Sequence, residues 1–192
     1  MVTVASREAY FETGLDVLAD RGYGGLKLAE VCRRLGVTSG SFYHYFSSWS
    51  AYTGELIEEW FPAATRERVA QLRTIPDPRR RIDAIFDIGL ALPHGAEAAV
   101  RVWSALDPKV WAVQSEVDDL RFGILRESAL ELLHDDRQAE LFASWSLYLL
   151  VGYEQSTRPP DMVGLTWMVG QLLDALDSGR FSSAVAASLV AA

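Results

Sequence analysis

At 192 residues the chain is sized for one domain, or for a small domain that shares a core with a larger one. Its hydrophobic fraction of 49% excludes a generally disordered chain, and a formal charge of −8 argues, taken alone, against nucleic acid as a partner. That average hides an asymmetry: in residues 1–50, Arg7, Arg21, Lys27, Arg33 and Arg34 balance Glu8, Glu12, Asp16, Asp20 and Glu30, so the whole deficit lies further along. A single cysteine, Cys32, excludes an internal disulfide and reads as a buried packing residue in a reducing compartment. The first eight residues lack the charged-then-apolar layout of a secretory signal, and no run approaches the ~20 apolar residues of a membrane span. A cytoplasmic location without membrane association is expected.

Apolar residues recur at helical spacing nearly everywhere, and alternating strands are absent. The first helix is predicted from about Ser6 to Asp20, with Phe11, Leu15 and Leu18 on one face and Gly22-Tyr23-Gly24-Gly25 to end it. A second runs from about Lys27 to Leu35, burying Leu28, Val31, Cys32 and Leu35, and Gly36 breaks it. A third covers about Ser39–Tyr45. A fourth starts at Ser47 or Ser48, either of which serves as its cap, and reaches roughly Arg73. Pro76 and Pro78 precede a fifth over Arg79–Leu92, and Pro93-His94-Gly95 separates it from a sixth over Ala96–Leu106. Asp107-Pro108 opens a seventh to about Leu133. Asp135 or Asp136 opens an eighth to about Glu154, and Pro159-Pro160-Asp161 a last one ending at Ser178-Gly179. The small, apolar tail Phe181–Ala192 reads either as a loose helix or as irregular chain. The expected fold is all-α with about nine helices.

A supporting helix followed by two short helices joined at a tight glycine turn makes a helix-turn-helix, whose second helix enters the major groove. Phe42 and Phe46, four apart, belong on the inner face of the third helix. Thr38, Ser39, Ser41 and His44 then point outward, with Tyr43 and Tyr45 at the margins. Gly22-Tyr23 and the run LAEVCRRLGVTSGSFYHYF, Leu28–Phe46, resemble the N-terminal domain of the TetR family of regulators. The resemblance covers roughly residues 7–56, about a quarter of the chain. It implies a DNA-binding domain over 1–48 and a helical effector-binding and dimerisation domain over 49–192. It also implies that Tyr43 contacts the DNA backbone and that Thr38, Ser39, Gly40, Ser41, His44 and Tyr45 lie at or near the groove. Two positions depart from the family. Leu26-Lys27-Leu28 offers no hydroxyl cap for the second helix, and Trp49 stands where the family usually has a phosphate-reaching lysine. Lys27, Arg33 and Arg34 are the remaining candidates for phosphate contact, the two arginines reading equally well as solvated residues. The helix start at Ser48 and Trp49 keeps free backbone N–H groups for a phosphate. Lysine at position 49 is expected to tighten DNA binding and steepen its salt dependence.

In the remaining chain, Trp60, Trp103, Trp111, Trp145 and Trp167 read first as core. The resemblance implies a central small-molecule pocket, for which Phe61, Phe86, His94, Trp103, Trp111, Phe122 and Tyr148 are candidate lining residues. Arg101 either orients an anionic ligand or pairs with a carboxylate. Leu141, Trp145, Tyr148, Leu149 and Gly152 form one apolar stripe. Leu165, Met168, Val169, Leu172, Leu173 and Leu176 form another. Two such helices from each of two chains make a four-helix bundle, and a two-fold dimer sets its recognition helices about one DNA turn apart. No metal-ligand spacing, nucleophile elbow or phosphate loop is visible, so neither enzyme chemistry nor a cofactor or metal is expected. The reading is a ligand-responsive homodimeric repressor that binds a palindromic double-stranded operator and is released by a small-molecule effector. An acidic balance and Trp49 motivate a second reading, a helical dimer on the same scaffold that binds a small molecule or protein with weak or lost DNA binding.

Overall fold

The computed structural model describes residues 5–179, apart from the side chains of Glu59 and Trp60; the Phe181–Ala192 tail lies outside the described residues. Among those residues the chain forms helices and no strand. Helix α1, Arg7–Arg21, begins at Ser6, whose hydroxyl accepts the Ala9 N–H at 3.2 Å. A single tight turn, Tyr23–Gly25, leads to α2, Leu28–Leu35. Gly36 ends α2 with φ 67°, a left-handed conformation that a side chain would strain. The chain thereby reverses into α3, Ser39–Tyr45, capped by Thr38, whose Oγ1 accepts the Ser41 N–H at 3.3 Å. No side chain caps α2, as Leu26-Lys27-Leu28 leads one to expect.

Helix α4 starts at Trp49, capped by Ser48, and continues to Leu72. It has three parts: Trp49–Glu55, a wider π-helical turn at Leu56–Trp60, and Phe61–Leu72. The wide turn has a covalent cause. Pro62 has no N–H to give, and its ring would meet the carbonyl one turn back. The Phe61 N–H instead reaches five residues back to the Leu56 carbonyl, and the helix continues with one loosened turn. Helix α5, Pro78–Leu90, has Asp77 as cap and proline at its start; α6 is His94–Ser104 and α7 is Pro108–Leu133. Asp135 caps α8, Asp136–Gln155, and Asp161 caps α9, Met162–Asp177. The nine described helices match the expected count when α4 is taken as one element.

The chain divides into two compact units. The first contains the described residues up to Arg66 together with Pro93–Val117. Its core is built from rings: Tyr10, Phe11, Phe42, Phe46 and Tyr52 are all buried and in mutual contact. Ala96, Ala99, Val100 and Trp103 of α6 join that core, and Trp103 stacks on Tyr23 with ring centroids 4.6 Å apart. The compact unit is therefore larger than the stretch 1–48, because the apolar face of α6 packs against α1 and the Tyr23–Gly25 turn. The second unit comprises Glu67–Leu92 and the described residues from Asp118 onward. Its core is mainly aliphatic, with Ile82, Leu125, Ala129, Val169, Leu172 and Leu176 around Phe142. Inter-helix ion pairs surround it. Arg79 binds Asp177 at 2.7 Å, Arg81 binds Glu131 at 2.8 Å, and Arg73 binds Glu127 at 2.8 Å.

Candidate functional site

The head is locked from inside. Tyr52 of α4 is fully buried and donates its phenolic proton to the Tyr10 carbonyl at 2.8 Å. Burial pushes that phenol's pKa well above its ordinary value, so Tyr52 stays a neutral donor. The approach is close enough that Gly14 of α1 is obligatory, since a Cβ there would lie 2.1 Å from the Tyr52 hydroxyl. Arg7 closes the other side. It donates to the Tyr45 carbonyl at 2.8 Å, sits 4.6 Å over the Phe46 ring and pairs with Glu55. These contacts fix α3 by its inner face and by its end.

The outer face of α3 is left to solvent. Thr38, Ser39, Gly40, Tyr43 and His44 are exposed, as are Ser47 and Ser48 at the start of α4. Ser41 is half-buried, and its Oγ accepts a hydrogen bond from the Tyr10 hydroxyl at 3.2 Å. Tyr45, expected at the groove margin, is half-buried with its ring tilted on Tyr10 at 5.6 Å, so it supports the face more than it forms it. Phe42 and Phe46 are buried, as their spacing requires.

Three basic candidates are placed differently from one another. Lys27 is exposed at the start of α2, in a groove shared with Arg21, Gly24, Gly25, Ala29, Glu30 and Arg33. Arg33 is exposed but bound twice to Glu30, at 2.9 and 2.8 Å. Arg34, with its side chain only 20% exposed, binds Glu30 at 2.9 Å and Asp20 at 2.7 Å. It ties α2 to α1. Two carboxylates hold the Arg34 guanidinium, so it is neither simply solvated nor able to reach a phosphate without giving them up. Hydrogen bonds from Arg33 and then Arg34 draw the Glu30 pKa down to about 2.

Trp49, which stands in place of the family's lysine, is held by rings. Its side chain is half-buried, with its ring 4.9 Å from Tyr52 and 5.9 Å from Phe42. It extends the ring cluster to the surface. Helix α4 turns this side chain toward the aromatic core.

The effector-pocket candidates fall into both units. Phe61 and Trp103 belong to the core of the first, and His94 and Arg101 are partly buried there. Phe86 and Phe122 pack in the core of the second, Phe86 edge-on to Phe142. Trp111 and Tyr148 are exposed, at 61% and 71%, and so are not enclosed lining residues.

The interface candidates need a similar correction. Leu165, Val169, Leu172 and Leu176 are buried within the chain's own second unit, because they form the face that α9 turns to the core. Leu149 and Leu173 are partly buried against that core, and Leu141 is half-buried. Trp145, Gly152 and Met168 are exposed as expected. The outward apolar face also includes Val163 and Trp167, at 83% and 65% exposure, with Met162 and Tyr148. Val163 and Trp167, four apart on α9, carried that signal in the sequence and were not in the predicted stripe.

Residues 11–50 match the family model described as bacterial regulatory proteins of the tetR family. The chain is 31% identical over 88 residues to the HTH-type transcriptional repressor DhaR of Mycobacterium sp. (strain GP1), 45% of this chain and 44% of that protein. It is 36% identical over 67 residues to the HTH-type transcriptional repressor NemR of Escherichia coli K12, 35% of this chain and 33% of that one. The alignments thus span less than half the length of these curated relatives. Over the whole fold, the chain superposes on the reduced form of E. coli NemR with TM-score 0.65 at 18% identity, covering 90% of this chain and 95% of that one. A protein from Saccharomonospora viridis crystallised with choline gives TM-score 0.67 at 18% identity, covering 89% and 95%. In residues 11–50 the chain is thus similar to the tetR family of bacterial regulatory proteins, and its fold is similar to that of these solved structures.

Proposed function

We propose that the chain is a transcriptional repressor that binds double-stranded DNA as a homodimer and is released by a small-molecule effector. The observation that carries this reading is the two-sided α3: its inner face is fixed by buried rings while Thr38, Ser39, Gly40, Tyr43 and His44 stand exposed on the outer one. Small hydroxyls, a phenol and an imidazole hydrogen-bond base edges and phosphates without fixed charge. Lys27 and the first N–H groups of α4 supply the backbone contacts. With Arg34 held by Asp20 and Glu30 and Trp49 packed inward, few cations remain for phosphate, and the salt dependence of binding is shallow for the family. The matched relatives DhaR and NemR carry the name of repressor, which supports repression over activation.

The outward face of α8 and α9 supports the dimer. Trp145 and Tyr148 on α8 and Val163 and Trp167 on α9 are large apolar side chains left exposed, more than a monomer usually leaves to water. A second copy related by a two-fold axis covers them and spaces two heads for a palindromic operator. The effector acts by population shift, binding more tightly to the arrangement whose heads miss the operator spacing. That one structural neighbour was crystallised with choline supports a small organic ligand for this scaffold. Among the described residues no helix is long and apolar enough to cross a membrane, which fits a cytoplasmic regulator, and no group of three or more His, Cys, Asp or Glu is placed to hold a metal. No catalytic role is part of this reading.

Selection of duplexes from a random pool tests it. The expected result is a two-fold symmetric consensus bound by two chains, with affinity falling as salt rises. Equal binding to consensus and random duplex at moderate salt would sink the reading.

A further inference from the structure

Serine hydroxyls inside this fold mostly direct their protons back into their own helix. Ser128 donates to the Ile124 carbonyl at 2.7 Å, and Ser146 to the Phe142 carbonyl at 2.8 Å. Ser41 differs. It sits in the first turn of α3, where the residue four back, Val37, is still in the turn between helices. Among the described residues its Oγ accepts from the Tyr10 hydroxyl at 3.2 Å, and its own proton has no acceptor. The donor behind it is rigid. Tyr10 is fully buried, its ring held edge-on by Phe42 and Phe46 and its carbonyl tied to Tyr52. Ser41 is half-buried, open to the outer face where Gly40 and His44 are exposed.

A hydroxyl has one proton and two lone pairs, and a free serine rotates to donate or accept as its partner requires. With Tyr10 feeding one lone pair from inside, the favoured rotor of Ser41 points its proton outward. Building on the DNA-binding reading above, we propose that Tyr10 is a positioning residue that sets Ser41 as a hydrogen-bond donor toward a nucleic-acid acceptor. The acceptor is an oxygen or ring nitrogen: guanine O6 or N7, adenine N7, thymine O4, or a phosphate oxygen. A cytosine N4 amino group, itself a donor, meets only the second lone pair of Ser41 and leaves the serine proton unpaired, so it is disfavoured at that place. Ser41 thus prefers acceptors over donors although serine by itself is nearly indifferent.

The test compares wild type, Tyr10→Phe, Ser41→Ala and the double variant on the selected duplex, with melting temperature and near-ultraviolet circular dichroism to confirm the fold. Each single variant is expected to weaken binding by about threefold to tenfold, and the double variant no further than Ser41→Ala alone. If the acceptor is a base, both singles lose discrimination at the same one base pair of each half-site. If it is a phosphate, the loss disappears on a duplex carrying a neutral methylphosphonate at that one position. Tyr10→Phe binding with wild-type affinity and selectivity, or losses that add in the double variant, would overturn the inference while leaving the DNA reading intact. A wild-type protein that selects no duplex overturns both. Should Tyr10→Phe fail to fold, 3-fluorotyrosine at position 10 strengthens the donor without removing it. It is expected to change affinity in the wild-type background and not with Ser41→Ala; equal affinity in both overturns the inference.

Discussion

The two units solve the same packing problem with different materials. In the first, flat rings meet edge to face, and Tyr52 lies so close to α1 that a single added methyl at Gly14 has nowhere to go. In the second, branched aliphatic side chains fill the interior, and arginine–carboxylate pairs at the rim link helices distant in sequence. Rings held at fixed angles give a rigid body, which suits a surface proposed to meet DNA in one register. Aliphatic residues repack at small cost, which suits a unit proposed to accommodate a partner copy and to respond to a ligand. The difference predicts where each unit is brittle.

The sharpest way to break the comparison is Gly14→Ala. It is expected to cost about 2–4 kcal/mol through overpacking and loss of the Tyr52–Tyr10 hydrogen bond, read as a lowered urea midpoint with DNA binding lost. A cost within 0.5 kcal/mol of zero, roughly that of an ordinary surface change, would mean the ring core yields as easily as the aliphatic one. Next is Trp167→Glu on α9. It lies on the outward face, so folding stability at the level of the monomer is expected to hold while dimer affinity falls by about 30-fold, as for an aromatic anchor. Sedimentation at decreasing concentration checks it, and an unchanged dimer would place the interface elsewhere.

Trp49→Lys comes third. The ring contacts with Phe42 and Tyr52 are lost, and the expected outcome is a stability decrease of about 1–2 kcal/mol. The lysine is also expected to add up to about one unit to the salt slope of DNA binding. The smallest effect concerns acid. The Glu30 carboxyl is held at about 2 in the folded chain, below its ordinary value, so its contribution is complete above that ordinary value. It is lost as pH falls from about 4.5 toward about 2. Glu30→Gln is therefore expected to flatten the acid side of the stability profile in that window, measured by urea unfolding at a series of pH values.

The head was readable because its instructions are local. Gly36 sets the turn, Thr38 and Ser48 set two helix starts, and the four-residue spacing of Phe42 and Phe46 gives α3 an inner face. The loss of a lysine at Trp49 was legible, but where its ring goes was not assigned, although its three-residue offset from Tyr52 pointed to the ring cluster. Arg34 was ambiguous because its partners lie 4 and 14 residues away, on two helices whose crossing the sequence does not state. Helix α9 is apolar on more than one face. The spacing of Leu165, Val169, Leu172 and Leu176 therefore says that these residues share a side, but not whether that side meets the chain or a copy of it. The wide turn in α4 had its cause in view at Pro62, but a proline in mid-helix is also compatible with a kink or a break.

That turn has a further consequence for the way α4 exchanges its amide protons with solvent. Helices ordinarily fray from their ends, and protection rises toward the middle. Pro62 contributes no amide, and the Leu56–Trp60 turn just before it forms the wider rings of a π-helix. Helix α4 accordingly has a third end inside it. Deuterium uptake along Trp49–Leu72 is set to show two protected stretches on either side of that turn, each opening on its own clock.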